Sequence, residues 1–199
     1  MNCVSGISLT FARQIAPRGC QMCIRDSYSA AGGFCTFNGL MVTAAALRAE
    51  GLARKIGIVD CDMHYGDGTD DILAVLGAAG DDPRRWLAHY TAGEHYSRPH
   101  HAPRFFAELP GVLRSMGDCD IVLYQAGADP HIDDPLGGWL TTAELAQRDA
   151  LVFAALKSLG VPVVWNLAGG YQRDDDGGIS KVLLIHDNTM RACAHTFTG

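Results

Sequence analysis

The chain has 199 residues, 48% of them hydrophobic, with a formal charge of -6, a sequence pI near 5.7 and seven cysteines. This length supports one sizeable core without requiring a second domain. The acidic balance argues against a broad basic surface for gripping phosphate backbones, so a direct nucleic-acid partner is not expected. No run reaches the roughly 18 apolar residues of a spanning helix, and the start lacks the charged-then-apolar order of a secretory signal. The expectation is a soluble cytoplasmic protein with no membrane partner. The odd cysteine count, with Cys35, Cys61, Cys119 and Cys193 scattered through apolar or motif segments, does not suggest a disulfide framework.

In chain order, residues 1–27 read as an atypical segment. Residues 20–27 have no periodicity that joins them to Ala31-Gly-Gly33-Phe34, and they read as a junction. Cys20 and Cys23 have zinc-knuckle spacing, but no second Cys/His pair stands at ligand spacing. From residue 28 a single α/β domain is expected. Residues 38–50 form an Ala-rich helix ended by Gly51, and residues 55–60 a short buried strand running into a polar loop. Residues 69–76 form the next helix and 86–90 a strand. Residues 91–110, rich in His, Pro and Arg, read as an irregular loop or short helix. Residues 120–125 are a buried strand ending at Gly127-Ala-Asp129. Thr141 and Glu144 have capping-box spacing, and Leu145, Val152, Phe153, Leu156 and Leu159 recur on one helical face. A strand over 161–167 reaches Gly169-Gly170-Tyr171, and a helix over 179–196 follows. Alternating helices and strands imply a mostly parallel sheet.

The densest chemistry is Asp60-Cys-Asp62-Met-His64-Tyr-Gly-Asp67-Gly-Thr69, which places four ligand-type residues within eight positions directly after a strand. Residues two apart in an extended segment point the same way, so Asp60, Asp62 and His64 can share one side. Buried carboxylates need a partner, and a divalent cation neutralises them most simply. Asp62 and His64 with a further carboxylate give a His/Asp/Asp set that leaves zinc an open position. Asp129, at the end of another strand, can supply the third ligand.

Gly33-Phe34-Cys-Thr-Phe-Asn38, the Asp60–Thr69 motif, Gly127-Ala-Asp129 with Asp134-Pro-Leu-Gly-Gly138, and Gly169-Gly170-Tyr171 occur in the order found in the histone deacetylase and acetylpolyamine amidohydrolase family, which this chain resembles. The resemblance implies an arginase/deacetylase-like fold, three-layer α/β/α, of which the chain carries a part without the first segment. It implies zinc-dependent hydrolysis of an acetylated amine, either acetyl-lysine of a protein or an acetylpolyamine. Position by position it implies zinc ligation by Asp62, His64 and Asp129. Asp60 and Asp67 would orient catalytic histidines, and Tyr171 would donate to the developing oxyanion. Gly33 and Phe34 would stand in the wall of the acyl-lysine tunnel. A structural potassium ion beside the zinc loop is a further implication.

One departure bears on activity. The family places a His-His pair before the Gly-Phe-Cys motif, and the corresponding positions here carry Ile24 and Arg25. General acid–base assistance contributes on the order of 10²–10⁴-fold, so hydrolysis without that pair is expected to be impaired. His100 and His101 follow the zinc loop instead of preceding Gly33, and read as surface groups. His131 reads as a loop residue beside Asp129. Two alternatives stay open: a non-catalytic protein that binds metal and acyl-lysine, and a dimanganese enzyme of ureohydrolase type.

Overall fold

The computed structural model describes residues 38–80 and 82–198. The junction at 20–27, the Ile24 and Arg25 positions, the boundary expected at 27/28, and Gly33 and Phe34 lie outside the described residues. Four strands, β1 (Ile56–Asp60), β2 (Leu87–Thr91), β3 (Ile121–Gly127) and β4 (Val163–Ala168), form one sheet in the order β2-β1-β3-β4. Every pairing is parallel. Parallel pairing needs crossover connections, and each is supplied by helix-containing segments. It also brings the C-terminal ends of all four strands to one edge. Asp60 is in register with Thr91 on one side and Gln125 on the other. Asp62 and Asp129 stand just beyond that edge.

The helices lie on both faces. Ile56 and Ile58 of β1 pack with Met41, Ala44, Leu73 and Trp86 in one apolar cluster, covered by α1 (Gly39–Ala49) and α2 (Asp67–Ala78). Val59, Val122 and Tyr124 face a larger cluster under α3 (Ala102–Ser115), α4 (Thr142–Leu159) and α5 (Ser180–Thr198). Alternate strand residues point to opposite faces, so a sheet sandwiched between two helical layers must be apolar on both. All five residues of β1 are buried. The architecture is therefore α/β/α around a parallel sheet, as expected. No helix of the described residues is long and apolar enough to cross a membrane.

The local signals act as the sequence suggests. The Asn38 side chain accepts from the Met41 amide and starts α1. Thr141 and Glu144 form a reciprocal capping box at α4. Leu145, Val152, Phe153 and Leu156 are buried, whereas Leu159, in the last turn before Gly160, is 39% exposed.

The segment expected to be an irregular loop or short helix is more helical than that. After short 3-10 turns at Ala92–Glu94 and Pro99–His101 it forms α3, 14 residues long with Pro110 inside. Pro103 sits in the first turn, where its missing N–H costs nothing. Phe105, Leu109 and Leu113, four apart, are fully buried on one face. That burial outweighs the roughly 3 kcal/mol propensity penalty of an internal proline.

Candidate metal centre

The loop after β1 and the turn after β3 bring Asp62, His64 and Asp129 together, with one ligand atom from each lying within 4.8 Å of the others. His64 Nδ1 is 2.9 Å from Asp129 Oδ2 and 3.3 Å from Asp62 Oδ1. A tetrahedral ion with bonds of about 2.0–2.1 Å separates its ligand atoms by roughly 3.3 Å. Both separations from His64 are thus near that spacing, and all three donors lie within 4.8 Å. Both carboxylates are buried, at 6% and 0% exposure for Asp62 and Asp129. Two buried carboxylates facing one imidazole are costly without a cation between them.

The electrostatics report that crowding. Hydrogen bonding to Asp129, then to Asp62, raises the His64 imidazole to about 9 despite its partial burial. Burial pushes the Asp129 carboxyl above the usual carboxylate range, with the Asp62 charge acting in the same direction. A divalent cation binding here would compete with the proton that these contacts favour on His64.

The backbone around it leaves no room for side chains. A Cβ at Gly127 would lie 2.6 Å from Asp62 Cα, and one at Gly169, whose φ is +58°, would lie 2.4 Å from Asp129 Cγ. Both glycines permit the close approach that seats the carboxylates. The donor set, its spacing and this cradle fit a small divalent ion.

Further contacts hold these three side chains and their loops. The Asp62 amide donates to Asp60 Oδ1 at 3.1 Å, and the His64 amide to Asp62 Oδ1 at 3.0 Å. The Met63 amide donates to Asp129 Oδ1 at 3.3 Å, coupling the two loops. Gln125 Nε2 donates to Asp62 Oδ2 at 3.3 Å. Asp67 opens α2, and its Oδ1 is buried without a hydrogen-bond partner among the described residues. The tight approach of Gly169 to Asp129 brings the segment carrying Tyr171 beside the cluster. The Tyr171 amide donates to Asp134 Oδ2 at 2.8 Å, while Asp134 Oδ1 accepts from Leu136.

Other histidines have other tasks. His131 Nδ1 accepts from the Asp133 amide, so its Nε2 carries the proton and donates to Thr142 Oγ1 at 2.9 Å. It shapes the loop after Asp129. His101 Nδ1 accepts from the Ser97 amide within the Pro99–His101 region, where His100 is exposed.

Sequence reasoning missed Gln125, the role of Asp134, and a buried pair, Arg148 and Asp149. The last carried a signal: both charges fall within the apolar periodicity of α4, between Leu145 and Val152, where a solvated side chain has no place.

A family model for the histone deacetylase domain matches residues 27–84, which include Asp60, Asp62, His64 and Asp67. Acetylpolyamine amidohydrolase of Burkholderia pseudomallei is 28% identical over 192 residues, covering 85% of this chain and 51% of its own. An uncharacterized protein of Picosynechococcus is 29% identical over 171 residues, covering 77% of this chain and 55% of its own. The chain spans about half the length of these two curated relatives. A crystal structure of acetylpolyamine aminohydrolase from Burkholderia pseudomallei shares the fold, with a TM-score of 0.65 at 21% identity over 85% of this chain and 53% of that one. Its likeness supports the arginase/deacetylase-like architecture. With its motifs on the ends of adjacent parallel strands, the chain is similar to members of the histone deacetylase and acetylpolyamine amidohydrolase family.

Proposed function

We propose that this chain binds one zinc ion through Asp62, His64 and Asp129 and serves the hydrolysis of an acetylated amine, acetyl-lysine or an acetylpolyamine. The observation that carries the reading is the convergence of two buried carboxylates and one imidazole at the ends of neighbouring parallel strands. When bound, zinc supplies Lewis acidity toward an amide carbonyl and makes water nucleophilic near neutral pH.

The chain's own residues supply the rest of the reading. Tyr171, two residues beyond Gly169 and tethered through Asp134, donates a hydrogen bond to the oxygen on which charge develops. Asp60 shapes the ligand loop by accepting from the Asp62 amide. The unpartnered buried oxygen of Asp67 suits an acceptor that orients a histidine. The family resemblance would give Gly33 and Phe34, outside the described residues, a place in the acyl channel. Potassium stays an expectation of the family resemblance.

The test is acetate release from an acetyl-lysine peptide and from an N-acetylated diamine by zinc-loaded protein. Turnover of either substrate, abolished in His64→Ala and lowered on the order of 10²–10³-fold in Tyr171→Phe, supports the reading. A zinc-loaded chain inert toward both contradicts hydrolysis. Ile24 and Arg25, in place of the family's histidine pair, favour a second reading: a protein that binds metal and acyl-lysine without cleaving it. Saturable binding of the acetylated peptide with no acetate release is its signature.

A further inference from the structure

Arg148 and Asp149 are both fully buried, on α4 beneath the strand ends. The guanidinium Nε donates to Asp149 Oδ1 at 2.8 Å. Its Nη1 donates to two backbone carbonyls, Cys61 O at 2.9 Å and Gly127 O at 2.8 Å. Cys61 immediately precedes Asp62, and Gly127 stands two residues before Asp129. One nitrogen thus bridges the two chain segments that carry the carboxylates of the metal cluster. Asp149 is fixed in turn by the Tyr124 hydroxyl from β3 and by the Thr189 hydroxyl of α5, the latter at 2.6 Å.

We infer that Arg148 is a positioning residue for the metal centre: it sets the separation of the Asp62 and Asp129 loops and so the affinity and geometry of the bound ion. This rests on the reading of Asp62, His64 and Asp129 as ligands. Stability alone accounts poorly for the pair, because a buried ion pair is often matched or surpassed by apolar residues of similar volume. What an apolar residue cannot do is hold two carbonyls from different strands at one point. A planar guanidinium can, and it reaches Asp149 with a separate nitrogen. The tie acts where the strand ends already touch, since Gly127 lies against Asp62 Cα. Groups behind metal ligands commonly alter affinity by about 10–100-fold when removed.

Cobalt(II) titration of the full chain, followed by its visible absorption, tests this. Arg148→Lys keeps the charge but loses the fork, and it should weaken cobalt binding by about 10–100-fold and change the absorption envelope. Thr189→Val cuts the far end of the same network, so it should lower the melting temperature while leaving affinity and spectrum unchanged. If Arg148→Lys does not fold, Arg148→Met combined with Asp149→Asn removes both charges together and should show the same loss of affinity. Wild-type affinity and spectrum in the Arg148 variants, or an equal loss in Thr189→Val, overturns the inference. If the wild-type chain binds no cobalt and His64→Ala behaves identically, the metal reading falls and takes this inference with it. That result is distinct from a wild-type site that binds normally and ignores Arg148.

Discussion

His64 Nδ1 and Asp129 Oδ2 lie 2.9 Å apart although the residues are 65 positions apart in the chain. The contact exists because β1 and β3 are adjacent and parallel, so their C-terminal ends deliver both loops to one edge. The same proximity of the carboxylates holds the His64 imidazole above its ordinary range.

Metal affinity should depend on pH with a defined sign. The carboxylates raise the His64 imidazole to about 9, above its ordinary 6.5, so at neutral pH a cation must displace a proton. Each unit of pH lowered beneath about 9 then weakens binding about tenfold, and the dependence flattens above that value. Competition with a chelator between about pH 6.5 and 8.5 measures it. An affinity independent of pH over that window would show that His64 is not protonated in the metal-free chain.

Gly169→Ala should damage both fold and site. The new Cβ would lie 2.4 Å from Asp129 Cγ, at a φ of +58°. Backbone strain of this kind costs about 1–3 kcal/mol, and the displaced carboxylate should weaken metal binding at least about tenfold. Gly80→Ala is the control, since its φ of +92° is also strained but nothing stands within 4 Å of the added atom. Denaturant unfolding should show a loss in both variants, and metal titration a loss in Gly169→Ala only.

Thr141→Ala should lower stability by about 1 kcal/mol without touching the metal centre. The Thr141 hydroxyl accepts from the Glu144 amide at 3.3 Å, and Glu144 Oε2 accepts from the Thr141 amide at 2.8 Å. A lower melting temperature with unchanged metal affinity is the expected pair of results. A loss of metal binding would mean that the start of α4 is coupled to the strand ends more tightly than these contacts indicate.

The parts legible in the sequence are those governed by local chemistry. Asn38 and Thr141 are capping residues whose partners lie three positions away, and β1 is a short apolar run followed by polar residues. The Asp62 and His64 pairing follows from strand geometry within one loop. That Asp129 joins them depends on β3 lying next to β1, a relation between distant segments that the family resemblance supplied. Proline and histidine obscured α3, whose burial of Phe105, Leu109 and Leu113 overrides local preference. The role of Arg148 is not legible from the apolar periodicity of its helix. Its partners, Cys61 O and Gly127 O, are backbone atoms 87 and 21 positions away. Asp134 belongs to a legible motif, yet its tie to Tyr171 spans 37 positions and becomes visible only in three dimensions.

Equilibrium dialysis of the full chain against zinc and manganese, with metal counted per chain, checks the proposed single-ion centre of Asp62, His64 and Asp129. One zinc per chain is expected, lost in His64→Ala and in Asp129→Asn. Two manganese ions per chain, or one zinc retained after both substitutions, would contradict it.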